Sequence, residues 1–348
     1  MSRLRIGLAV SLLFLLSAVA FITCGSDAGS HNGGSGEVVT VQGVHRINVV
    51  TTVSPITNIV ENIGGTRIQL EGVVPEGVNS HTFEPQPSLA RLMAEADLIV
   101  INGLFLEQPT LRLAESNKKE GAVILALGDQ AVTREEWQFD FSFPESVGNP
   151  NPHLWPDPNL GLRYAELFHD QLAAIDPDNA SYYGQNLAAF RERIEVMDQA
   201  IRIAVATVPQ QNRKLLTYHD SWAYFARQYG MEVIGAVQPS DFSEPSVREV
   251  AQLIDQVRDL GLPAVFGSKV FPSDVLETIA KEADATFIDE LADDNLPGAP
   301  GDSEHSYLGL MRQNMEIMIP ALGGNADSLA GLDVGPVFDG NSGAVYPQ

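Results

Sequence analysis

The feature that most constrains this chain is a helical pattern without proline over residues 180–208, lying between two series of short β-branched runs. Its apolar positions recur every three or four residues, at Leu187, Phe190, Ile194, Met197, Ile201 and Val205. This spacing places them on one face of a helix of about 28 residues, which is roughly 42 Å long at 1.5 Å per residue. We expect a helix of this length to act as a stiff connection between the regions on either side.

Short apolar runs alternate with helical patterns on both sides of this helix, which indicates parallel sheets with crossover helices. Before it, strands are predicted at residues 47–53, 68–74 and 98–101, and a further apolar run covers residues 123–127. After it, strands are predicted at residues 215–218, 233–237, 264–266 and 285–288. The predicted fold class is therefore α/β, with two lobes, each a mostly parallel sheet flanked by helices, joined by one long rigid helix.

The first 45 residues are predicted to form a targeting signal followed by a flexible tether. Residues 1–23 carry Arg3, Arg5 and an apolar run, but no acidic residue, which is the pattern of a secretory signal peptide. Cys24 follows at once, and this arrangement resembles a bacterial lipoprotein signal, in which the cysteine receives the lipid. Residues 24–45 are then a lipid-anchored flexible tether. The alternative is an uncleaved N-terminal anchor, and both interpretations place the globular part outside the cytoplasm.

Length and charge limit the remaining possibilities. A chain of 348 residues suits two domains of ordinary size. We divide it into an N-terminal α/β lobe (46–177), the linking helix (178–208), a C-terminal α/β lobe (209–322) and an irregular tail (323–348). With 45 acidic and 21 basic residues, the net charge of −24 argues against a nucleic-acid partner. The single cysteine excludes an intramolecular disulfide and any zinc site that needs two cysteines.

Four candidate metal ligands fall where predicted strands end. His81 follows the second strand, and His153 lies in a long loop before the last helix of the first lobe. His219 and Asp289 directly follow the first and last strands of the second lobe. Because open parallel sheets bind ligands beyond the carboxyl ends of their strands, these side chains are candidates to hold one ion between the lobes.

Position alone leaves ordinary structural roles open for all four residues. A loop histidine is commonly a surface or hydrogen-bonded residue, and an aspartate after a strand is commonly a turn former or a helix cap. The sequence also contains no short local ligand pair such as HExxH among them.

Several segments resemble the cluster A zinc- and manganese-binding solute receptors of bacterial ABC transporters. The segments that resemble the first three ligand regions contain HTFEP at residues 81–85, NPHLWPDP at 151–158 and TYHDSW at 217–222. Those that resemble the fourth region and the closing helix are FIDEL at 287–291 and YLGLMRQN at 307–314. The similarity covers about residues 46–322, in the correct order.

This resemblance implies a function as well as a fold. It implies two α/β lobes joined by a single helix, with His81, His153, His219 and Asp289 as the metal ligands. It also implies that the ion is delivered to the permease subunits of an ABC transporter. Receptors of this group that bind manganese generally carry Glu where this chain has His219, which favours zinc.

Two departures from the group affect the ligand assignment. Many of its zinc receptors carry a histidine-rich loop between the first two ligands, whereas residues 104–150 contain no histidine. The insertion at residues 293–303 is also longer than expected. It leaves Glu290, Asp293 and His305 as alternatives to Asp289.

The donor set favours binding over catalysis. Three imidazoles and one carboxylate fill a tetrahedral shell, whereas catalytic zinc keeps one position for water. Imidazole suits Zn(II), and Mn(II) prefers more oxygen ligands, so zinc is the favoured cargo and manganese the alternative. Each ligand histidine needs an acceptor for its other ring N–H, and Glu84, Asp157 and Asp220 are the nearby candidates.

The prediction is thus a monomeric, extracytoplasmic receptor that is not an enzyme. One rival is a metal-dependent hydrolase with water as the fourth ligand and Asp289 as the base. Others are a receptor for a siderophore or haem, and a surface adhesin in which a metal is incidental.

Overall fold

The structure is a computed structural model that describes residues 46–238, 242–270 and 273–348. The predicted signal peptide, the predicted lipid attachment site Cys24 and the predicted tether lie outside the described residues.

The first lobe is built on a four-stranded parallel sheet of order β2-β1-β3-β4. Its strands are β1 (Ile47–Thr51), β2 (Ile68–Gly72), β3 (Leu98–Ile101) and β4 (Val123–Ala126). Its helices are α1 (Ser54–Gly64), α2 (Leu89–Glu95), α3 (Gln108–Asn117), α4 (Leu127–Ala131) and α5 (Pro158–Ile175). The central strand β3 is buried along its whole length, which explains its unbroken apolar sequence.

The second lobe repeats this arrangement with a parallel sheet of order β6-β5-β7-β8. Its strands are β5 (Lys214–Thr217), β6 (Glu232–Ala236), β7 (Ala264–Ser268) and β8 (Thr286–Leu291). The helices that follow the long connection are α7 (Ala223–Tyr229), α8 (Val247–Leu260), α9 (Asp274–Ala283) and α10 (Tyr307–Ala321). Local signals set their ends: Ser246 and Glu249 form a capping box on α8, and Gly261 closes it in the left-handed conformation.

The long helix α6 (Ala180–Thr207) joins the two lobes and runs for 28 residues. It begins after a turn that contains Pro177 and ends just before Pro209. The side chains that it buries include Phe190, Ile194 and Met197, which belong to a core shared with the first sheet and with α10. The predicted fold class, with two parallel-sheet lobes on one long helix, is confirmed.

The predicted end of the last strand differs from the observed one, and this difference affects the site. The sequence predicts the last strand at residues 285–288, but β8 continues through Leu291. Asp289 therefore lies within the strand as an exposed residue, and the loop beyond the sheet begins three residues later than predicted.

The residues after α10 return along the long helix to the first lobe. Ser328 donates to the carbonyl of Ala200 on α6, and Val345 then pairs in parallel with Glu71 on β2. This pairing covers the free edge of β2, with Val345 N–H bonded to the Leu70 carbonyl at 3.0 Å. In the described part of the chain, no helix has the length and apolar content needed to cross a bilayer.

The packing of α5 against α10 gives a stability prediction. A methyl group at Gly161 would overlap the Tyr307 hydroxyl, which donates to the Trp155 carbonyl at 2.6 Å. We expect Gly161→Ala to lower the free energy of unfolding by about 1–3 kcal/mol, measured by denaturant titration, because the buried Tyr307 ring must shift and its hydrogen bond to Trp155 is disturbed.

Gly184→Ala is the matched control, since Gly184 is also helical and its added methyl would lie 3.7 Å from His169 Nε2, an ordinary contact. This variant is expected to raise stability by up to about 1 kcal/mol. Equal effects of the two substitutions would contradict the packing argument.

Candidate metal centre

Three of the four predicted ligand residues meet at one point. His81 lies in the loop between β2 and α2, His153 lies just before α5, and His219 lies just after β5. Their Nε2 atoms are separated by 3.1 Å (His81 to His153), 3.3 Å (His81 to His219) and 2.9 Å (His153 to His219). In a tetrahedral zinc site with bonds of 2.0–2.1 Å, ligand atoms are about 3.4 Å apart. The three nitrogens therefore already form one face of such a tetrahedron.

The second ring nitrogen of two of these histidines fixes the tautomer. His153 Nδ1 lies 2.8 Å from Asn151 Oδ1, and His219 Nδ1 lies 2.7 Å from Gln238 Oε1. An amide oxygen can only accept, so both Nδ1 atoms carry the proton and both Nε2 lone pairs point at the centre. This is the arrangement that a metal-ligating imidazole needs.

Burial keeps the imidazoles of His81 and His153 neutral. His153 and His219 are 0% and 2% exposed, and His81 is half-buried. Desolvation and the neighbouring imidazole of His219 hold the pKa of His81 and of His153 well below 6.5. Because metal ions bind only the deprotonated ring, both side chains are competent ligands at neutral pH.

Asp289 does not join the three histidines. It is exposed on β8, as is Glu290, since the strand runs past both residues. His305 lies elsewhere, with its Nε2 3.9 Å from Glu76. A carboxylate that does approach the cluster is that of Asp293, which is 4% exposed and places Oδ2 3.9 Å from His219 Nε2.

The surroundings of Asp293 hold its carboxylate in place. Its Oδ1 accepts from the backbone N–H of Asp294 at 3.1 Å and from Ser268 Oγ at 3.4 Å. Its Oδ2 lies on the side of His219. The neighbouring Asp294 is also buried, and burial next to Asp293 raises its pKa to about 7.

Hydrogen bonds between the lobes surround the cluster. Asn151 Nδ2 donates to the Asp220 carbonyl at 2.7 Å, and Ser142 Oγ donates to the Gln238 carbonyl at 2.6 Å. On the other side of the site, Ser80 Oγ donates to Asp294 at 2.6 Å. Residues adjacent to the histidines thus tie the two lobes together where the ligands meet.

The sequence did not reveal the acceptors for the histidine Nδ1 protons. Asp157 instead caps α5 by accepting from Asn159 N–H, and Asp220 accepts from Ser142 N–H. Asn151 and Gln238 take the role expected of an acid. Asn151 could have been considered from its position two residues before His153, but nothing local marks Gln238, which lies 19 residues after His219.

A profile of the family described as the zinc-uptake complex component A, periplasmic, matches residues 49–321. The chain belongs to this family. The match covers both sheets, the long helix and all four residues predicted as ligands, and it ends at the last residue of α10.

Relatives within the family carry names for two different metals. The manganese-binding lipoprotein MntA of Halalkalibacterium halodurans is 26% identical over 312 residues, which cover 89% of this chain and 97% of that protein. The manganese ABC transporter substrate-binding lipoprotein PsaA of Streptococcus pneumoniae is 28% identical over 277 residues, covering 78% and 87%. The solved periplasmic zinc-binding protein TroA of Treponema pallidum superposes with a TM-score of 0.72 at 26% identity, covering 80% of this chain and 99% of that one.

The tautomer argument gives a prediction for Gln238. Gln238→Leu removes the acceptor for His219 Nδ1–H, so we expect zinc affinity to fall by about 10- to 100-fold in a competition titration with a chromophoric chelator. Gln238→Glu is the control, because its carboxylate still accepts this proton, and affinity should be retained. If the Leu variant binds as tightly as the unaltered protein, Gln238 does not orient the ligand.

Proposed function

We propose that this protein captures a divalent transition-metal ion, with zinc favoured, between its two lobes and delivers it to an ABC permease for import. The observation that carries this proposal is the convergence of the His81, His153 and His219 Nε2 atoms within 3.3 Å of one another. Membership of the zinc-uptake family supports the same function, and so do relatives named as transporter substrate-binding lipoproteins.

The donor set favours zinc over manganese. Three imidazole nitrogens and one carboxylate suit Zn(II), whereas Mn(II) is bound better by sites richer in oxygen. The relatives' names include both metals, so the preference for zinc rests on the ligands of this chain. The manganese receptor remains the second candidate.

We assign the fourth ligand to Asp293 in place of Asp289. Asp293 is buried, and its Oδ2 atom lies 3.9 Å from His219 Nε2. A small movement of this carboxylate toward the ion would complete a tetrahedral shell. Such a shell leaves no position for an activated water, which is the feature that a metal-dependent hydrolase requires. We therefore favour a receptor over an enzyme.

The remaining parts of the chain fit an anchored receptor that works outside the cytoplasm. In this proposal residues 1–23 are the signal peptide, Cys24 carries the lipid and residues 24–45 form the tether. The lobes at residues 46–177 and 209–322 hold the ion, the helix at 178–208 fixes their separation, and residues 323–348 form the tail. The receptor works as a monomer, because each chain supplies all four ligands.

Ion stoichiometry and choice test the proposed function directly. We expect the purified protein to bind one Zn(II) per chain by elemental analysis. Zn(II) should also displace Mn(II) in competition, but most N- and O-donor sites hold Zn(II) more tightly than Mn(II), so the metal that the protein retains through purification decides between the two cargoes. Binding of several ions per chain would indicate loose association with the acidic surface, and a preference for Mn(II) would favour the alternative receptor.

A pair of aspartate variants tests the fourth ligand. Asp293→Ala should lower zinc affinity by more than the roughly 10- to 100-fold that loss of an outer hydrogen-bond partner costs, because it removes a metal ligand. Asp289→Ala, at an exposed position four residues away, should leave the affinity unchanged. Isothermal titration of both variants decides the assignment, and the reverse pattern would restore Asp289 to the shell.

A further inference from the structure

Two phenylalanine rings lie against the least buried of the three histidines. The ring of Phe242 stacks on His81 with centroids 4.6 Å apart and planes 27° apart, and the ring of Phe143 lies 5.6 Å from His81. The two phenylalanine centroids are 6.2 Å apart, so the rings cover His81 side by side. Phe143 also meets His153 edge-on at 5.8 Å. We call Phe143 and Phe242 the aromatic lid.

The backbone of Phe242 shows that its position is constrained. Its φ is +59°, in the left-handed region that residues with a side chain rarely adopt. Such a conformation persists where surrounding contacts fix it, and it concentrates at functional sites. Here the contact that it allows is the stacking of the ring on His81.

The space in front of the lid is lined by uncharged residues. A cavity of about 120 Å³ is lined by His81, by both lid rings and by residues such as Leu104 and Leu106. None of the described residues that line it is Asp, Glu, Lys or Arg, although the chain carries a net charge of −24. On the side of His81 that faces this cavity, the three histidines therefore have the rings of Phe143 and Phe242 as neighbours and no carboxylate from the described part of the chain.

We propose that the aromatic lid keeps water off the bound ion, limits it to four protein ligands and thereby selects zinc over manganese. This inference rests on the proposed function and adds residues that determine its specificity. Zn(II) is satisfied by four ligands, whereas Mn(II) favours a larger, oxygen-rich shell that water must complete. An apolar wall around a metal controls the access of solvent to it, and the lid supplies that wall on the only half-buried ligand.

Cobalt(II) bound in place of zinc reports the coordination number of the site, because four-coordinate cobalt absorbs visible light far more strongly than five- or six-coordinate cobalt. We expect the unaltered protein to give the intense four-coordinate spectrum. Phe242→Ala and Phe143→Ala should give weaker bands, as water enters the shell. The ratio of the Mn(II) Kd to the Zn(II) Kd should fall by about tenfold in each variant.

Two control variants separate the lid from general effects on packing. Phe242→Leu keeps an apolar cover and should retain both the spectrum and the selectivity. Phe105→Ala removes a ring that lines the same cavity but is 49% exposed, and it should change neither. Phe242 is half-buried whereas Phe143 is 8% exposed, so Phe242→Ala preserves the test if Phe143→Ala fails to fold.

The possible outcomes distinguish this inference from the function on which it rests. Unchanged spectra and Kd ratios in both alanine variants overturn the lid and leave the receptor intact. A five- or six-coordinate cobalt spectrum of the unaltered protein also overturns the lid and leaves the receptor function intact. If the unaltered protein binds neither zinc nor cobalt in a ratio of one per chain, the proposed function fails together with the lid.

Discussion

The site depends on two nitrogen lone pairs that face each other. The Nε2 atoms of His153 and His219 are 2.9 Å apart, and the Nδ1 proton of each ring is already donated to an amide oxygen, on Asn151 and on Gln238. Two lone pairs at this distance repel unless a proton or a cation lies between them. A cation between these two nitrogens removes the repulsion, so the pair is a favourable position for a metal ion.

The contacts that maintain this geometry come from both lobes. Ser142 and Asn151 of the first lobe bond to the backbone of the second, and Ser80 bonds to Asp294 on the opposite side. The long helix α6 provides a second, mechanically stiff link. With bonds on both sides of the ligands, ion capture is expected to need small local shifts in place of a wide hinge closure.

The sequence predicted the strands, the helices and the three histidines of this site better than it predicted the side chains that contact these histidines. Strand and helix periodicity located both sheets, the positions of the three histidines made them candidates, and the resemblance to metal receptors implied that they are ligands. Asp289 was selected in the same way, but the strand continues to Leu291, and the carboxylate that approaches His219 beyond its end is that of Asp293. Strand ends are weakly encoded, because pairing with a neighbouring strand can extend them. The roles of Asn151 and Gln238 depend on which distant side chain each one reaches, and no local pattern carries that information.

The tail after α10 also supports the site, although the family match ends at residue 321 and does not include the tail. Strand β2 leads directly into the loop that carries His81, and its outer edge pairs with Val345. In that loop the Glu76 N–H donates to the Pro347 carbonyl at 3.1 Å, and its carboxylate accepts from Leu296 N–H at 3.1 Å. An uncovered edge strand exposes unpaired backbone groups and is easily displaced. By covering this edge and bonding to Glu76, residues 345–347 hold the loop of His81, the least buried of the three histidines.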